Sequence, residues 1–298
     1  MSNRIPIFCA TDENYAPFAS LMMKSVLMHT ESFIDFYIMD GGICDKTKKL
    51  IDKDLKKYPN KELHYIDMEK YSLDRFPDVS YYTTNAFSRY FIPSMVKDEK
   101  RVIYLDVDII VTKDIKLLYE QDLEGYPIGA IPEDFLFFAP TLLKQKVWPT
   151  YKKNSFYFNS GVLLLDISQL NEINFEKKAV DLTVELYHKL TYPDQDVLNI
   201  LFENNYKKLD YHFNFFPDRI PFFKKKYPLE KITDPVIIHY NSIKPWKEKS
   251  FAQSEFNAVL QTSVFCKRVM RQFRSQKTSK YYLFGCIPLF EKAKIKNI

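Results

Sequence analysis

Short apolar runs alternate with amphipathic segments along the first half of the chain. The spacing of apolar residues predicts helices over 18–29, 45–58 and 85–95, the last one bent or ended by Pro93. Strands are predicted over 5–10, 35–39, 62–66, 102–105 and 128–131. Strands that alternate with helices indicate an α/β domain built around a largely parallel sheet.

The second half continues the same alternation. The pattern predicts strands over 161–166 and 236–240 and helices over 168–190, 194–203 and 254–261. No Gly/Ser-rich linker or repeat divides the chain. We therefore expect one main domain over residues 1–250 and a C-terminal helical basic segment over residues 251–298.

Charge and short motifs exclude several classes of protein. Of the net charge of +5, the segment from Phe265 to Ile298 holds nine Lys or Arg against one acid, so the remaining chain is net negative. This distribution argues against a nucleic-acid-binding body. Neither a GxGxxG fingerprint nor a P-loop is present, and four cysteines without a CxxC pair indicate neither a disulfide framework nor a zinc ribbon. With no long apolar run and no signal peptide, we expect a cytoplasmic protein.

The run VIYLDVDIIV, residues 102–111, carries the most informative chemistry. Asp106 and Asp108 follow four apolar or aromatic residues, which places them at the carboxyl end of a buried strand. In a continuous strand both carboxylates face one side and Val107 faces the core. Such a pair holds Mg²⁺ or Mn²⁺ well. A turn cap and a lysine ion pair explain the two aspartates equally well, so this run alone does not decide.

Further motifs decide between these readings. They are PIFCATDENY at 6–15, YFNSGVLLLD at 157–166, YPDQDVLN at 192–199 and IIHYNSIKPW at 237–246. Together with YLDVDIIV, their order and spacing resemble glycosyltransferase family 8, the retaining GT-A enzymes. That family includes bacterial lipopolysaccharide galactosyl- and glucosyltransferases and also glycogenin. The resemblance extends from about Ile5 to Trp246, most of the chain.

The resemblance implies a fold and a reaction. The fold is the GT-A fold, a Rossmann-like nucleotide-diphospho-sugar transferase with a mostly parallel mixed central sheet. The reaction moves galactose or glucose from a UDP-sugar to a saccharide or to a lipid-linked or protein-linked glycan acceptor of the bacterial cell envelope. The implied cofactor is Mn²⁺, with Mg²⁺ as the alternative.

Matching positions supply the implied metal and phosphate ligands. Asp106, Asp108 and His239 match the metal ligands, although a lone strand histidine is more often structural. Lys244 matches the lysine that reaches the diphosphate, and Arg89 an arginine that contacts donor phosphate or sugar. Lys244 lies only five positions after His239, where some relatives carry a glycine and a longer loop, so a backbone contact to phosphate is in doubt.

Four further stretches match the donor and acceptor sites. Asp12 and Asn14 match uracil and ribose contacts, Tyr15 stacks on the base, and Ala10, Thr11 and Val107 complete the set. Asn159, Ser160 and Gly161 match the sugar pocket, Asp194 binds sugar hydroxyls, and Gln195 stands where a nucleophile is expected. Glu133 and Asp134 lie near the acceptor-side carboxylate. Structural roles compete: Thr11 or Asp12 caps a helix, and PDQD starts one.

Other functions remain as alternatives. The basic C-terminal segment binds an anionic membrane surface on the inner face of the cell membrane, or it packs on the body through Val264, Phe265, Val269 and Phe273. A catalytically silent sugar-nucleotide-binding protein would keep the same ligands. A two-metal nuclease or phosphatase would need more clustered carboxylates and leaves the DQD and KPW stretches unexplained.

Overall fold

The computed structural model describes residues 4–71, 76, 84–96, 98–133, 157–219, 234–274, 278–283 and 287–293. Its first four strands form a parallel sheet in the order β3-β2-β1-β4. They are β1 Arg4–Thr11, β2 Phe33–Asp40, β3 Lys61–Asp67 and β4 Arg101–Leu105. The predicted strands of this half are thus confirmed, and each extends slightly beyond its predicted ends.

Three later strands complete a seven-stranded sheet in the order β3-β2-β1-β4-β7-β6-β8. They are β6 Ile128–Pro132, β7 Phe158–Asp166 and β8 Lys207–Lys208. β7 is antiparallel to β4 and β6, whereas β6 and β8 are parallel. A separate small sheet pairs β5 Ile109–Val111 with β9 Ile237–His239 in antiparallel register. The central sheet is therefore mixed and mostly parallel, as expected.

Helices cover both faces of the sheet. They are α1 Ala16–Met28, α2 Asp45–Leu55, α3 Ile92–Met95, α4 Lys116–Tyr119, α5 Ile167–Glu172, α6 Phe175–Leu186, α7 Pro193–Leu201, α8 Gln253–Gln261 and α9 Cys266–Arg274. Short 3-10 turns lie at Met68–Tyr71, Thr84–Phe91, Tyr211–Phe213 and Pro217–Arg219. Alternate residues of β1 enter opposite cores: Ile7 and Cys9 lie on the α1 side, and Phe8 lies on the α6 side.

Two predicted helices differ from the structure. The predicted helix over 168–190 is two helices, because Asn174 has a left-handed backbone (φ 52°) that an α-helix cannot contain. The predicted helix over 85–95 is a 3-10 turn up to Phe91 and α-helical only from Ile92, with Pro93 in the first turn. Periodicity found both segments but not the turn geometry inside them.

The C-terminal segment is helical only in part. α8 and α9 are helical as expected, and Phe265, Val269 and Met270 are buried in the core beside α1. The prediction of a wholly helical segment is wrong for β10 Thr278–Leu283 and β11 Ile287–Ala293, which form an antiparallel hairpin. Cys9 and Cys44 are free, whereas Cys266 is disulfide-bonded, which the cysteine spacing did not predict.

A buried ion pair fastens this segment to the body. Lys24 Nζ lies 2.7 Å from Asp54 Oδ1, and both side chains are almost completely buried. Asp54 also accepts hydrogen bonds from the backbone N–H of Val264 and from the hydroxyls of Ser20 and Ser263. Lys24 donates to the carbonyl of Thr262. One paired carboxylate therefore joins α1, α2 and the turn between α8 and α9.

We expect Asp54→Asn to lower the free energy of unfolding by about 3–5 kcal/mol, because it leaves the Lys24 ammonium buried without its counter-charge. Urea-induced unfolding followed by circular dichroism measures the change. Asp52→Asn is the control, since Asp52 lies on the same helix but is exposed. Equal midpoints for the two variants would show that the ion pair does not hold the segment in place.

Candidate active site

The aspartate pair lies on a bend at the carboxyl end of β4. The strand predicted over 102–105 ends at Leu105 as expected, but the assumption that it continues through both aspartates is wrong, because β5 begins only at Ile109. The backbone changes partner between them, since Asp106 N–H donates to Gly161 (2.8 Å) and Tyr240 N–H donates to Asp108 (2.9 Å). The bend thus passes from the central sheet to the small sheet, and both ends of it are hydrogen-bonded.

His239, the last residue of β9, faces both carboxylates. Its Nε2 lies 3.1 Å from Asp108 Oδ1 and 3.9 Å from Asp106 Oδ2. One ligand atom from each residue falls within 4.8 Å of the others. Nε2 is buried and has no hydrogen bond within the part of the chain that the structure describes. Two carboxylate oxygens and an unpaired imidazole nitrogen are a donor set that fits a divalent cation such as Mn²⁺ or Mg²⁺.

Gly161 of β7 is packed directly against these ligands. A Cβ at this position would lie 2.4 Å from His239 Cε1 and 2.6 Å from Asp106 Oδ2. Real Cβ contacts are not this short, so only glycine lets the metal-ligand side chains approach the β7 backbone. The resemblance placed Gly161 at the edge of the sugar pocket, but its role in packing against the metal ligands was not predicted.

Two cations neutralise the aspartates. Lys244 forms an ion pair with Asp108 Oδ2 and donates to the carbonyls of Tyr240 and Asn241. Burial alone would raise the pKa of Asp108, but the adjacent Lys244 ammonium holds it well below its usual range. The remaining oxygen of Asp106, Oδ1, accepts from Arg89 at 3.1 Å and from the hydroxyl of Tyr104 at 2.8 Å.

Arg89 also joins the aspartate pair to the opposite wall of the site. Its Nη1 donates to the carbonyl of Ser160 at 2.6 Å and lies 3.1 Å from Asp194 Oδ2. Its guanidinium stacks on the Tyr104 ring, 4.3 Å from the centroid. Burial raises the pKa of Asp194, and Arg89 opposes that rise. Arg89, which the sequence predicted to be functional, is thus held in place by the carboxylates of Asp106 and Asp194.

The start of α7 forms the wall opposite the metal ligands. Ser160 Oγ donates to Asp194 Oδ2 at 2.9 Å. Gln195 Oε1 accepts from Asn159 Nδ2 at 2.9 Å and from Ser160 N–H at 3.0 Å. Asp196 accepts from Tyr157 and from the two backbone N–H groups of Thr191 and Tyr192. PDQD therefore begins a helix, as expected, and the same residues Asp194 and Gln195 also line the site, so the two predictions are compatible.

A fourth carboxylate borders the site. Glu133, at the end of β6, is 3% exposed, forms an ion pair with Arg219 and lies 3.3 Å from Asn159 Nδ2. Asp134, named beside it from the sequence, lies outside the described residues. Arg219 was not predicted, because a lone arginine in a turn carries no sequence signal that separates it from a surface ion pair.

These side chains surround one cavity of about 460 Å³. Its lining consists of Ala86, Arg89, Asp106, Asp108, Glu133, Asn159, Ser160, Tyr192, Asp194, Gln195, Arg219, Asn241, Ser242 and Lys244. His239 lies behind the aspartates and is 1% exposed. The predicted metal, phosphate and sugar residues are thus brought together.

The predicted nucleotide turn lies at the carboxyl end of β1 and does not line this cavity. Asp12 Oδ1 accepts from the N–H groups of Asn14 and Tyr15, both at 2.9 Å, and Asp12 C=O accepts from Ala16. Asp12 therefore closes the turn before α1, whose N-cap is Tyr15, and the expected helix cap by Thr11 or Asp12 is wrong because no side chain caps α1. Ala10 and Thr11 end β1, and Tyr15 is 38% exposed. Val107 is half-buried on the bend and packs against the core.

Sequence reasoning missed three neutral residues that hold the predicted ones in place. Tyr104, Tyr157 and Asn214 each bond to a predicted site residue: Tyr104 to Asp106, Tyr157 to Gln195 and Asn214 to His239. Tyr104 and Tyr157 lie inside quoted motifs, so their proximity was visible, but Asn214 lies in FNFFPD, which matches no motif used here.

Solved glycosyltransferases share this fold. The galactosyltransferase LgtC, in complex with donor and acceptor sugar analogues, gives a TM-score of 0.74 at 24% identity and covers 87% of this chain and 96% of its own. The apo form of GlyE from Streptococcus pneumoniae gives a TM-score of 0.65 at 26% identity and covers 86% and 60%. The expected GT-A fold is confirmed.

The relatives are glycosyltransferases as well. GlyF of Streptococcus pneumoniae is 29% identical over 253 residues, which are 84% of this chain and 59% of GlyF. GlyA of the same organism is 31% identical over 249 residues, 83% of this chain and 33% of GlyA. The lipopolysaccharide 1,3-galactosyltransferase of Salmonella typhimurium is 25% identical over 265 residues, 82% of this chain and 74% of that enzyme. The chain therefore spans only part of the length of GlyF and GlyA.

The family comparison agrees with the motifs quoted from the sequence. The profile described as glycosyl transferase family 8 matches residues 6–250, most of the chain. This chain therefore belongs to glycosyltransferase family 8.

Proposed function

We propose that the protein is a metal-dependent retaining hexosyltransferase that moves galactose or glucose from a UDP-sugar to a glycan acceptor. The observation that carries the proposal is the geometry of Asp106, Asp108 and His239. A buried imidazole nitrogen without a hydrogen bond faces two carboxylates, and these border a cavity whose opposite wall is Asp194 and Gln195. This arrangement suits a diphosphate at one wall and a sugar at the other.

The charges around the cavity support a cation. Its described lining contains four carboxylates, Asp106, Asp108, Glu133 and Asp194, and three cations, Arg89, Arg219 and Lys244. The lining is therefore net negative, and a sugar diphosphate would bring further negative charge into it. Bound to Asp106, Asp108 and His239, Mn²⁺ or Mg²⁺ would offset this charge and act as a Lewis acid toward the leaving diphosphate.

Lys244 and Arg89 have distinct roles in this proposal. The Lys244 ammonium lies at the cavity edge and stabilises the charge that develops on UDP as the bond to the anomeric carbon breaks. Arg89 spans Asp106 and Asp194, so it keeps the phosphate wall and the sugar wall at a fixed separation. Both groups act by position, because their charges are already compensated by carboxylates.

The hydrogen bonds of Gln195 argue against a nucleophilic role for this residue. Its Oε1 accepts two hydrogen bonds, and its Nε2 donates to the hydroxyl of Tyr157 at 3.1 Å. An amide oxygen with both lone pairs engaged is a poor nucleophile. We therefore favour attack by the acceptor on the face from which UDP departs, with a phosphate oxygen taking the acceptor proton. Asp194 and Gln195 then position the sugar.

The nucleotide is assigned to the turn after β1. The strand β1 pairs directly with β4. It ends with Ala10 and Thr11, and the turn after it contains Asp12, Asn14 and Tyr15. The carboxyl ends of adjacent parallel strands lie at the same edge of a sheet, where α/β proteins bind nucleotides. A base at this turn therefore lies next to a diphosphate at Asp108 and Lys244, with Val107 on the bend between them.

The relatives restrict the choice of donor sugar and acceptor glycan only in part. The Salmonella relative is a galactosyltransferase that acts on lipopolysaccharide, and this supports galactose and a cell-envelope saccharide here. A lipid-linked or protein-linked glycan acceptor is equally compatible with the open cavity. A catalytically silent sugar-nucleotide-binding protein is the alternative, and UDP release from UDP-galactose and UDP-glucose separates the two.

Asp108→Asn tests the metal assignment. We expect it to lower the rate of UDP release by at least about 100-fold and to weaken Mn²⁺ binding, because a metal-ligand oxygen and the charge paired with Lys244 are both lost. A coupled UDP-release assay and electron paramagnetic resonance of free Mn²⁺ measure the two effects. Asp181→Asn, at an exposed position of α6, is the control. Wild-type transfer by Asp108→Asn without metal would show that the metal assignment is wrong.

Gly161→Ala tests the close packing behind the ligands. The new Cβ displaces the His239 ring or the Asp106 carboxylate, so we expect Mn²⁺ affinity to fall about tenfold or more. Gly129→Ala is the matched control, since its Cβ would meet only Leu123 and Leu209, at 2.8 and 3.1 Å. It should destabilise the protein without changing Mn²⁺ affinity. Equal affinity in both variants would contradict the proposed site.

We also propose that the C-terminal basic residues contact the inner face of the cell membrane. No helix among the described residues is long and apolar enough to cross a membrane. Because Phe265, Val269 and Met270 are buried in the core, the contact is electrostatic and made by Lys and Arg.

Replacing the five lysines after Arg274 with glutamine removes their charge, leaves all four cysteines in place and keeps the Asp54 ion-pair network intact. We expect this variant to lose at least about tenfold in partitioning to phosphatidylglycerol vesicles at low salt, at about 1 kcal/mol per basic residue. Sedimentation measures the bound fraction, and neutral phosphatidylcholine vesicles are the control. Unchanged partitioning would remove the membrane contact from the proposal.

A further inference from the structure

Asn214 is a fully buried side chain that lies between the metal ligands and the sugar wall. It follows the 3-10 turn Tyr211–Phe213, and its neighbour Phe215 pairs with β9 through two backbone hydrogen bonds. This pairing places Asn214 beside His239: Asn214 Oδ1 lies 2.8 Å from His239 Nδ1. On its other side, Asn214 Nδ2 donates to Asn159 Oδ1 at 2.9 Å.

The direction of these hydrogen bonds is fixed by the backbone of β7. Gly161 N–H donates to the Asn159 side chain at 2.9 Å, and Ser160 N–H donates to the Gln195 side chain at 3.0 Å. A backbone N–H can only donate, so the atoms that face it must be amide oxygens. Asn159 therefore presents its Oδ1 to Gly161 and to Asn214, and its Nδ2 to Gln195.

It follows that Asn214 has no choice of orientation. Since Asn159 Oδ1 is an acceptor, Asn214 must direct its NH₂ group toward it and its own Oδ1 toward His239. An oxygen beside Nδ1 requires a proton on Nδ1. The neutral imidazole of His239 then has its lone pair on Nε2, directed at Asp106 and Asp108.

This tautomer is not the one that the aspartates alone would select. A carboxylate is a stronger acceptor than an amide, and Asp108 Oδ1 lies only 3.1 Å from Nε2. Without Asn214, a proton on Nε2 would form a hydrogen bond to Asp108 Oδ1, and neither atom would be free to bind a cation. The amide bond at Nδ1 keeps both available for a cation.

We propose that Asn214 is a positioning residue that sets the tautomer and orientation of His239 and couples this ligand to Asn159 and Gln195 on the sugar wall. The metal part of this inference rests on the proposed function, whereas the tautomer does not. Asn214 touches neither the metal nor the substrate, and it acts through the two side chains that it bonds.

The first test measures the tautomer with Asn214 unchanged. In metal-free protein labelled with ¹⁵N-histidine, long-range ¹H–¹⁵N correlation distinguishes the tautomers of the five histidines, at a pH high enough to make all of them neutral. The His239 signals are assigned by their absence in His239→Gln. We expect the proton of His239 on Nδ1. A proton on Nε2 would overturn the proposal.

Two substitutions separate the two bonds of Asn214. Asn214→Leu removes both, and we expect Mn²⁺ affinity to fall about 10- to 100-fold with the His239 proton moving to Nε2. Asn214→Asp keeps an acceptor at Nδ1 but cannot donate to Asn159. It should keep Mn²⁺ affinity within about threefold of wild type and lower kcat, because Asn159 Oδ1 loses the hydrogen bond from Asn214 and faces a carboxylate instead.

Asn60→Leu is the control, because it also removes two hydrogen bonds of an asparagine side chain, those to the carbonyls of Thr30 and Ser32, but at the start of β3, away from the site. Wild-type affinity and tautomer in Asn214→Leu would overturn the proposal. If that variant does not fold, Asn214→Asp with the proton of His239 on Nε2 would do so. Failure of the wild-type protein to bind Mn²⁺ or release UDP would instead count against the proposed function and leave the tautomer measurement standing.

Discussion

The structure depends on charge compensation at the carboxyl end of β4. Four carboxylates border one cavity, and each lies within reach of a cation from a distant part of the chain. Arg89 bridges Asp106 and Asp194, Lys244 pairs with Asp108, and Arg219 pairs with Glu133. Removing one partner of a buried pair leaves a charge that nothing compensates, which costs several kcal/mol. The arrangement therefore specifies how the segments around β4 meet, even where its net contribution to stability is small.

The sequence predicts the position of this cluster well because an apolar run that ends in acidic residues has few structural solutions. It does not predict the local geometry. The argument from strand pleating assumed a continuous strand, but the backbone leaves β7 at Asp106 and joins β9 at Asp108. The same limit explains Asn174, whose left-handed backbone divides a helical pattern. At the aspartate bend the decisive hydrogen bonds come from residues far away along the chain, Gly161 and Tyr240.

The candidate site shows a similar division between what is and is not visible in the sequence. Charged residues in motifs were found because a buried charge requires an explanation. Tyr157 and Asn214 were missed, because the role of a neutral amide or hydroxyl outside the matched motif positions is evident only from the groups that it bonds. Gly161 is an intermediate case: its position in FNSGV was noted, but the reason for glycine is the side chain of His239, 78 residues later in the sequence. Motif reasoning therefore finds ligands more readily than the groups that orient them.

The series of hydrogen bonds from His239 to Asp196 provides a means by which the proposed site would distinguish hexoses. They pass through Asn214, Asn159, Gln195 and Tyr157, and Asp196 ends them by binding the backbone before α7. Galactose and glucose differ in the orientation of one hydroxyl, so discrimination requires polar groups that cannot move to satisfy the wrong epimer. A wall whose amides are each fixed by a backbone N–H meets this requirement. In the proposed reaction the same bonds would orient the metal ligand His239, so sugar selection and leaving-group stabilisation would use one rigid element, and a change at either end should affect both.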